Sequence, residues 1–419
     1  MKCNWKEKKL GDLIESVSIT HKLDKKEIIL INTSDVLEGK VLNHTYVENN
    51  NLKGQFKKSF MKGDILYSEI RPQNKRFAFV DFNSEDYVAS TKLMVLRRKN
   101  DEITEQFLFQ VLKNDGLIRK LQAIAESRSG TFPQITFSEL SNIVIQLPTQ
   151  EEQERIGNIL SNLDKKIELT KQIIATLEEL SSTLFKYWFV DFEFPDENGN
   201  PYKLSGGKMV ESELGKIPEG WKVKQLKEIV NYSSKAFNPK RTNSKTVAHF
   251  SIPEFDSRKF PIIDETESIK SNKYYIDEST IMVSKMNPKT PRVWLPNISK
   301  IHENVCSTEF IVLNSTNQNK KSFIYELCKS TQFTNFLISH ATGSTNSRQR
   351  VTPSVAINYA FPCNERKIEE YGEMIRNQHL LILKLREQTM DLISMRDTLL
   401  PKILSGEIEL PTEEGYDIE

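Results

Sequence analysis

The residues of this chain best suited to chemistry lie in short polar stretches that set arginine or lysine beside an amide side chain. "SEIRPQNKR" occupies 68–76 and "SKMNPKTPR" occupies 284–292, while "ESRSGTFPQIT" lies at 126–136 and "ATGSTNSRQRVT" at 341–352. "NPKRTNSK" at 238–245 adds Lys240, Arg241 and Lys245, with Lys235 nearby and no acid. Guanidinium and ammonium groups pair with phosphate oxygens or with the O6/N7 edge of guanine, and Gln or Asn pairs with adenine. This is the chemistry of holding and reading nucleic acid. The same residue types also suit a loop that is merely solvated, so no one stretch decides between the two.

Bond-breaking chemistry has no comparable pattern. The sequence holds no phosphate loop, no G-x-G-x-x-G after a strand, no H-E-x-x-H and no G-x-S-x-G. "NPKT" at 287–290 and "NPKR" at 238–241 resemble the N-P-P-aromatic tetrapeptide of adenine methyltransferases, but both lack the second proline and the aromatic. The six histidines are dispersed, and Cys3, Cys306, Cys328 and Cys363 show no metal-ligand spacing, so they read as reduced thiols. No catalytic residue and no metal ligand is expected. A chain of 419 residues, 38% hydrophobic and 27% charged, predicts a soluble protein of about two or three domains. Its net charge of +1 means that nucleic-acid binding must come from local patches. There is no apolar N-terminal run and no window near about 18 apolar residues, so the expectation is a cytoplasmic protein.

The elements that position these loops are written twice. "WKEKKL" at 5–10 recurs as "WKVKQL" at 221–226, and "ILYSEIRP" at 65–72 as "IMVSKMNP" at 281–288, both at an offset of 216. "VASTKLMVL" at 88–96 matches "VCSTEFIVL" at 305–313, offset by 217. Each half opens with short β-branched and aromatic runs that read as strands, continues through a helical stretch near 103–125 or 319–340, and ends in a long helix. The halves agree at positions that read as scaffold (Trp5/Trp221, Leu10/Leu226, Ser68/Ser284, Pro72/Pro288) and differ in the loops.

In the first long helix Ile156, Leu160, Leu163, Ile167, Ile174, Leu177, Leu184 and Trp188 hold a four-three spacing, with Thr170 and Ser181 in the gaps. A shift of 215 lands on Tyr371, Ile375, Gln378, Ile382, Leu385, Thr389, Leu392, Arg396, Leu399 and Ile403. Thr149 with Glu152 signals a start near residue 150, Pro401 should break or kink the second helix, and Gly406 should stop it. "FPDENGNPYKLSGGK" at 194–208 reads as a linker. Two helices of about 40 residues, on the order of 60 Å each, would pair antiparallel with a mixed α/β domain at each end. Different loops on duplicated domains predict two different half-sites, about one turn of B-DNA or slightly more apart.

With these features in view, the chain resembles the specificity subunits of type I restriction-modification systems. The resemblance covers nearly the whole chain. It rests on the order domain, helix, domain, helix and on three passages: "LPTQEEQERIGNILSNLDKKIE", "YWFVDFEFPDENGNPYKLSGGKMVESELGKIPEGWKVKQL" and "MRDTLLPKILSGEIEL". It implies an α+β fold, with two duplicated mixed α/β target-recognition domains separated by two long antiparallel spacer helices under a pseudo-two-fold. The corresponding limits are a first target-recognition domain at 1–148, a first spacer helix at 149–190, a linker at 191–215, a second target-recognition domain at 216–363, a second spacer helix at 364–405 and a C-terminal tail at 406–419.

The resemblance further implies double-stranded DNA with a bipartite site, two methyltransferase subunits and restriction/translocase subunits as partners. S-adenosylmethionine, ATP and Mg²⁺ would be bound by those partners and not by this chain. Family-style recognition loops map onto 68–76, 126–136, 284–292 and 342–352. Candidate DNA contacts in the first domain are Arg71, Gln73, Lys75, Arg76, Arg128 and Gln134; in the second they are Lys285, Lys289, Arg292, Arg348, Gln349 and Arg350, beside Lys240 and Arg241. Each suits either a base or a phosphate. Ile159, Leu169, Ile173 and Leu180 lie off the helix seam and either face a methyltransferase subunit or broaden the core stripe. Three other readings stay open: a self-sufficient methyltransferase or nuclease, the recognition subunit of a related system whose partner fuses nuclease and methylase, and a coiled-coil scaffold with no DNA role.

Overall fold

The computed structural model describes residues 5–22, 24–50, 54–127, 132–343 and 349–408. The chain forms two compact units, one from the residues up to Lys166 together with those from Leu392 onward, the other from Ile167–Asp391.

In the first unit an antiparallel sheet runs in the order Ile14–Val17, Leu93–Arg98, Ile65–Ser68, Phe77–Phe79. A second sheet runs Tyr46–Glu48, Glu27–Ile31, Tyr87–Ser90, Phe56–Lys58, and its middle pair is parallel. The run "LMVL" at 93–96 is wholly apolar because that part of its strand is covered on both faces, while Arg97 and Arg98 lie where the cover ends. Leu96 and Ile65 face a core with Phe107, Leu121, Ile156 and Leu160, whereas Val95 and Leu66 face Ile31, Ala89 and Val36.

The second unit repeats this plan. Asn231–Ser233, Phe310–Asn314, Thr280–Ser284 and Val293–Trp294 form the first sheet in the same order. The other sheet runs Ile262–Glu265, Thr246–Phe250, Glu303–Ser307, Lys273–Tyr275, Ala236–Phe237, again with one parallel pair, Thr246–Phe250 beside Glu303–Ser307. Helices Glu105–Leu112 and Asp115–Glu126 have counterparts in Gln318–Lys329 and Thr331–Ser339. The duplication read from clustered identities is thus a duplication of topology.

The long helices are Gln150–Phe189 and Glu365–Leu404. The first starts at the expected capping box, in which Thr149 N donates to Glu152 Oε2 (2.9 Å) and Glu152 N to Thr149 Oγ1 (3.3 Å). Asn364 Oδ1 caps the second by accepting from Lys367 N (3.1 Å). Within the second unit Tyr371 Oη donates to Ser181 O (3.0 Å) and Gln378 Nε2 to Leu177 O (2.6 Å), so one helix descends as the other rises. Within the first unit Arg396 Nη1 meets Asp164 Oδ1 (3.1 Å), and Leu400 and Ile403 join the core that holds Leu160 and Ile156. The seam pairs antiparallel in each unit. Because the same side chains finish the unit cores, both long helices, set apart from the domains in the sequence reading, belong partly to each unit.

Two expectations are corrected. The passage at 194–208, read only as a linker, is packed: Phe194 stacks on Tyr202 and Trp221, with centroids at 4.7 and 5.1 Å, and a hairpin of Met209–Ser212 with Gly215–Pro218 follows. Its Asn, Asp and Gly residues build turns, as in Asp196 Oδ1 accepting from the amides of Asn198 and Asn200 (2.8 Å each), while its aromatics anchor it. The second helix is also not broken at Pro401 but runs on to Leu404 before Gly406, at φ +71°, ends it. So near the terminus the missing N–H frees one carbonyl in a turn that is already opening.

Candidate nucleic-acid interface

In each unit two of the candidate loops meet a third segment in one main-chain cradle. In the first unit Ser68 N donates to Arg76 O (2.8 Å), Arg71 N to Pro133 O (3.0 Å), Ile135 N to Glu69 O (2.9 Å) and Glu69 N to Lys92 O (3.1 Å). In the second, Ser284 N donates to Arg292 O (2.9 Å), Asn287 N to Gln349 O (2.9 Å), Val351 N to Lys285 O (3.0 Å) and Lys285 N to Glu309 O (2.8 Å). The hydroxyls of Ser68 and Ser284 accept from the amides of Ile70 and Met286 (3.0 and 3.1 Å). Arg71 and Asn287, at matched positions, both adopt left-handed φ (+46° and +45°). Such a conformation costs a non-glycine residue on the order of 1 kcal/mol and is retained where the surroundings dictate it. Here the dictating contacts are the bonds to Pro133 and Gln349.

On this common frame the two units carry different side chains. Arg71 is exposed, its guanidinium 5.6 Å from the centroid of the Phe132 ring. Gln73 is exposed, its amide N–H held by Gln122 Oε1 (3.1 Å), and Lys75 pairs with Asp115 (2.8 Å). Gln134 is half-buried and bridges to Ile70. In the second unit Lys285 donates to Thr308 O (2.7 Å) and lies 5.3 Å from the Tyr274 ring, and burial lowers its pKa. Lys289 is exposed, and Gln349 is half-buried. Arg350 forks onto Glu309, Nε to Oε2 at 3.1 Å and Nη2 to Oε1 at 3.2 Å.

Some candidates are committed elsewhere. Arg76 Nη1 donates to the carbonyls of Ser34 (3.0 Å) and Val36 (3.3 Å). Arg292, its counterpart, forks onto Asp256 (2.6 and 2.9 Å) and also reaches Thr290 O (3.3 Å), with only 14% of its side chain exposed. Both fasten the end of the loop to the neighbouring segment. Lys240 and Arg241 are exposed on a separate turn. That turn is tied through Thr242 Oγ1 to Glu303 Oε2 (3.2 Å), at the end of Glu303–Ser307 away from the cradle. Arg128 and Arg348 lie outside the described residues.

Among the described residues no group of His, Cys, Asp and Glu could hold a metal ion, and no helix is long and apolar enough to cross a membrane. Burial pushes the Cys306 and Cys363 thiols up to about 12 and about 11, which suppresses the thiolate form.

Residues 2–179 and 218–352 match the family described as the type I restriction modification DNA specificity domain. The chain belongs to this family. Among its relatives is the type I restriction enzyme HindI specificity subunit of Haemophilus influenzae, 31% identical over 97% of this chain and 100% of that one. Another is the MjaIX specificity subunit of Methanocaldococcus jannaschii, 25% identical over 74% of this chain and 70% of that one. The crystal structure of a type I restriction-modification S subunit from M. genitalium shares the fold, with a TM-score of 0.57 at 15% identity over 98% of this chain and 97% of that one.

In this specificity-family chain the third cradle segment, holding Lys92 and Glu309, escaped the sequence reading. The signal was present: within the matched "VASTKLMVL" and "VCSTEFIVL", Lys92 and Glu309 stand opposite each other with reversed charge. The long helices add a second surface. Ile159, Leu169, Ile173 and Leu180 are 39%, 58%, 41% and 54% exposed, so they do not broaden the buried seam. Met374 and Met395, also exposed, stand 215 residues after Ile159 and Leu180, whereas the positions matching Leu169 and Ile173 are Lys384 and Gln388, so only part of the apolar stripe recurs on the second helix.

Proposed function

We propose that this chain is the DNA-recognition subunit of a type I restriction-modification complex, each unit reading one half of a split, asymmetric DNA site. The observation that carries the proposal is the cradle, in which matched main-chain bonds present different side chains in the two units. A repeated frame with identical readers would suit a palindrome, whereas this one suits two unlike half-sites. The subunit supplies no chemistry of its own. Its exposed helix stripes dock two methyltransferase subunits, which bring S-adenosylmethionine, and restriction/translocase subunits bring ATP and Mg²⁺. Arg71, Gln73, Gln134, Lys289, Gln349 and Arg350 are the side chains aimed at DNA, while Arg76 and Arg292 hold the loops in shape.

Mapping N6-methyladenine across the host genome with and without this gene tests the reading. Loss of one split, non-palindromic motif is expected, and it gives both half-sites at once. A methylome that stays the same while the gene's methyltransferase partners are active would overturn it.

A further inference from the structure

We propose that Glu309 is a specificity-positioning residue that fixes the guanidinium of Arg350 to read one guanine in the second half-site. The inference rests on the DNA-recognition reading above and deepens it. Arg350 spends Nε and one Nη2 hydrogen on the two oxygens of Glu309 (3.1 and 3.2 Å). That is the side edge of the guanidinium. The opposite edge, formed by Nη1 and the outer Nη2 hydrogen, keeps the spacing that matches O6 and N7 of guanine in the major groove. The side chain of Arg350 is 48% exposed even with this fork made.

The backbone holds both ends of the pair. Glu309 O accepts from Lys285 N (2.8 Å), and Arg350 pairs through N and O with Thr342 (2.9 and 3.0 Å) while bridging to Met286. A flexible side chain is thus fixed at its root by the cradle and near its tip by a carboxylate, which lowers the entropy lost on binding. Arg292 makes the contrast. It carries the same fork onto Asp256, but it is mostly buried and its Nη1 is spent on Thr290 O (3.3 Å).

The first unit places Lys92 and Gln134 at the two equivalent posts. Gln134 offers an amide, suited to adenine, and Lys92 cannot hold a guanidinium. The pair of posts 92/134 and 309/350 therefore distinguishes the two half-sites while the frame beneath them stays the same.

The test uses the chain assembled with its methyltransferase subunits, as wild type, Arg350→Ala and Glu309→Gln. Binding is measured to duplexes carrying the mapped motif, with 7-deazaguanine, which lacks the N7 acceptor, placed at each guanine in turn. For wild type, one position in the second half-site should weaken binding about tenfold. Arg350→Ala should show no further loss at that position, and Glu309→Gln should show a reduced one. The first half-site should respond identically in all three proteins, which also reports that the variants are folded and assembled.

A wild type that reads no split motif sinks the DNA-recognition reading itself. A second half-site without a sensitive guanine, or one whose sensitivity survives Arg350→Ala, overturns the assignment of Arg350. Sensitivity lost in Arg350→Ala but unchanged in Glu309→Gln overturns the role of Glu309. Equal weakening on every duplex with a shallower salt slope makes Arg350 a phosphate contact and also overturns the proposal.

Discussion

Glu326 is 1% exposed, yet its carboxylate is surrounded by donors: His379 Nε2 at 3.0 Å, Lys329 Nζ at 3.0 Å and Ser182 Oγ at 2.9 Å. Burial alone would raise its pKa, but the His379 hydrogen bond and the Lys329 charge outweigh burial and hold it below the ordinary value of 4.5. A depressed carboxylate stabilises the fold above its unfolded pKa, and that stability is lost as pH falls through the folded one. Glu326→Gln, which leaves His379 and Lys329 facing a neutral amide, should cost roughly 3 kcal/mol at pH 7. In thermal melts the gap between variant and wild type should begin to narrow as pH falls below about 4.5 and close only below the depressed folded value, and a gap that stays constant with pH would show that the charge is not what matters. For the recognition surface, residue types were legible and commitments were not. Arg76 and Arg292 look like readers in sequence, but only coordinates reveal guanidiniums already spent on Ser34, Val36 and Asp256. Lys92 and Glu309 were passed over because each sits in a run that reads as strand.

Each long helix carries a glycine where it meets the helical layer of its own unit. A Cβ at Gly157 would lie 3.1 Å from Gln106 Cβ, whereas one at Gly372 would lie 2.2 Å from the Asn319 carbonyl oxygen. The first contact is tight by only a few tenths of an ångström, whereas the second is a frank overlap with backbone that must move. Gly372→Ala should therefore destabilise the second unit by about 2 kcal/mol or more, despite the better helix propensity of alanine. Gly157→Ala should fall within about 1 kcal/mol of wild type, and urea unfolding of the two variants separates these outcomes. The helices themselves were the most legible elements, since a four-three seam, a capping box at Thr149 and a terminal Gly406 are local signals. Composition misled at 194–208, because turn-forming residues report where the chain bends and not whether Phe194 and Tyr202 pack. The cradle could not be read from either loop alone, since its bonds join residues such as Arg71 and Pro133 whose pairing depends on the sheets behind them.

At the scale of the whole molecule, the exposed stripe makes a prediction about assembly. Leu169 and Leu180 are more than half exposed on a helix whose seam is already filled. Leu169→Glu with Leu180→Glu should weaken capture of the methyltransferase subunits at least tenfold, as read by sedimentation of the mixed proteins. The same change should shift unfolding by no more than about 0.5 kcal/mol per site. Undiminished capture would move the docking surface elsewhere. The path of the chain carries one more consequence. It leaves the first unit at Lys166, builds all of Ile167–Asp391, and returns at Leu392. On the ribosome, then, the part made first packs Ile156 and Leu160 against Phe107 and Leu121 but lacks Leu400 and Ile403 in that core until they emerge. A frameshift after Asp391 would spare the later-made unit and strip Leu400 and Ile403 from the core of the earlier one.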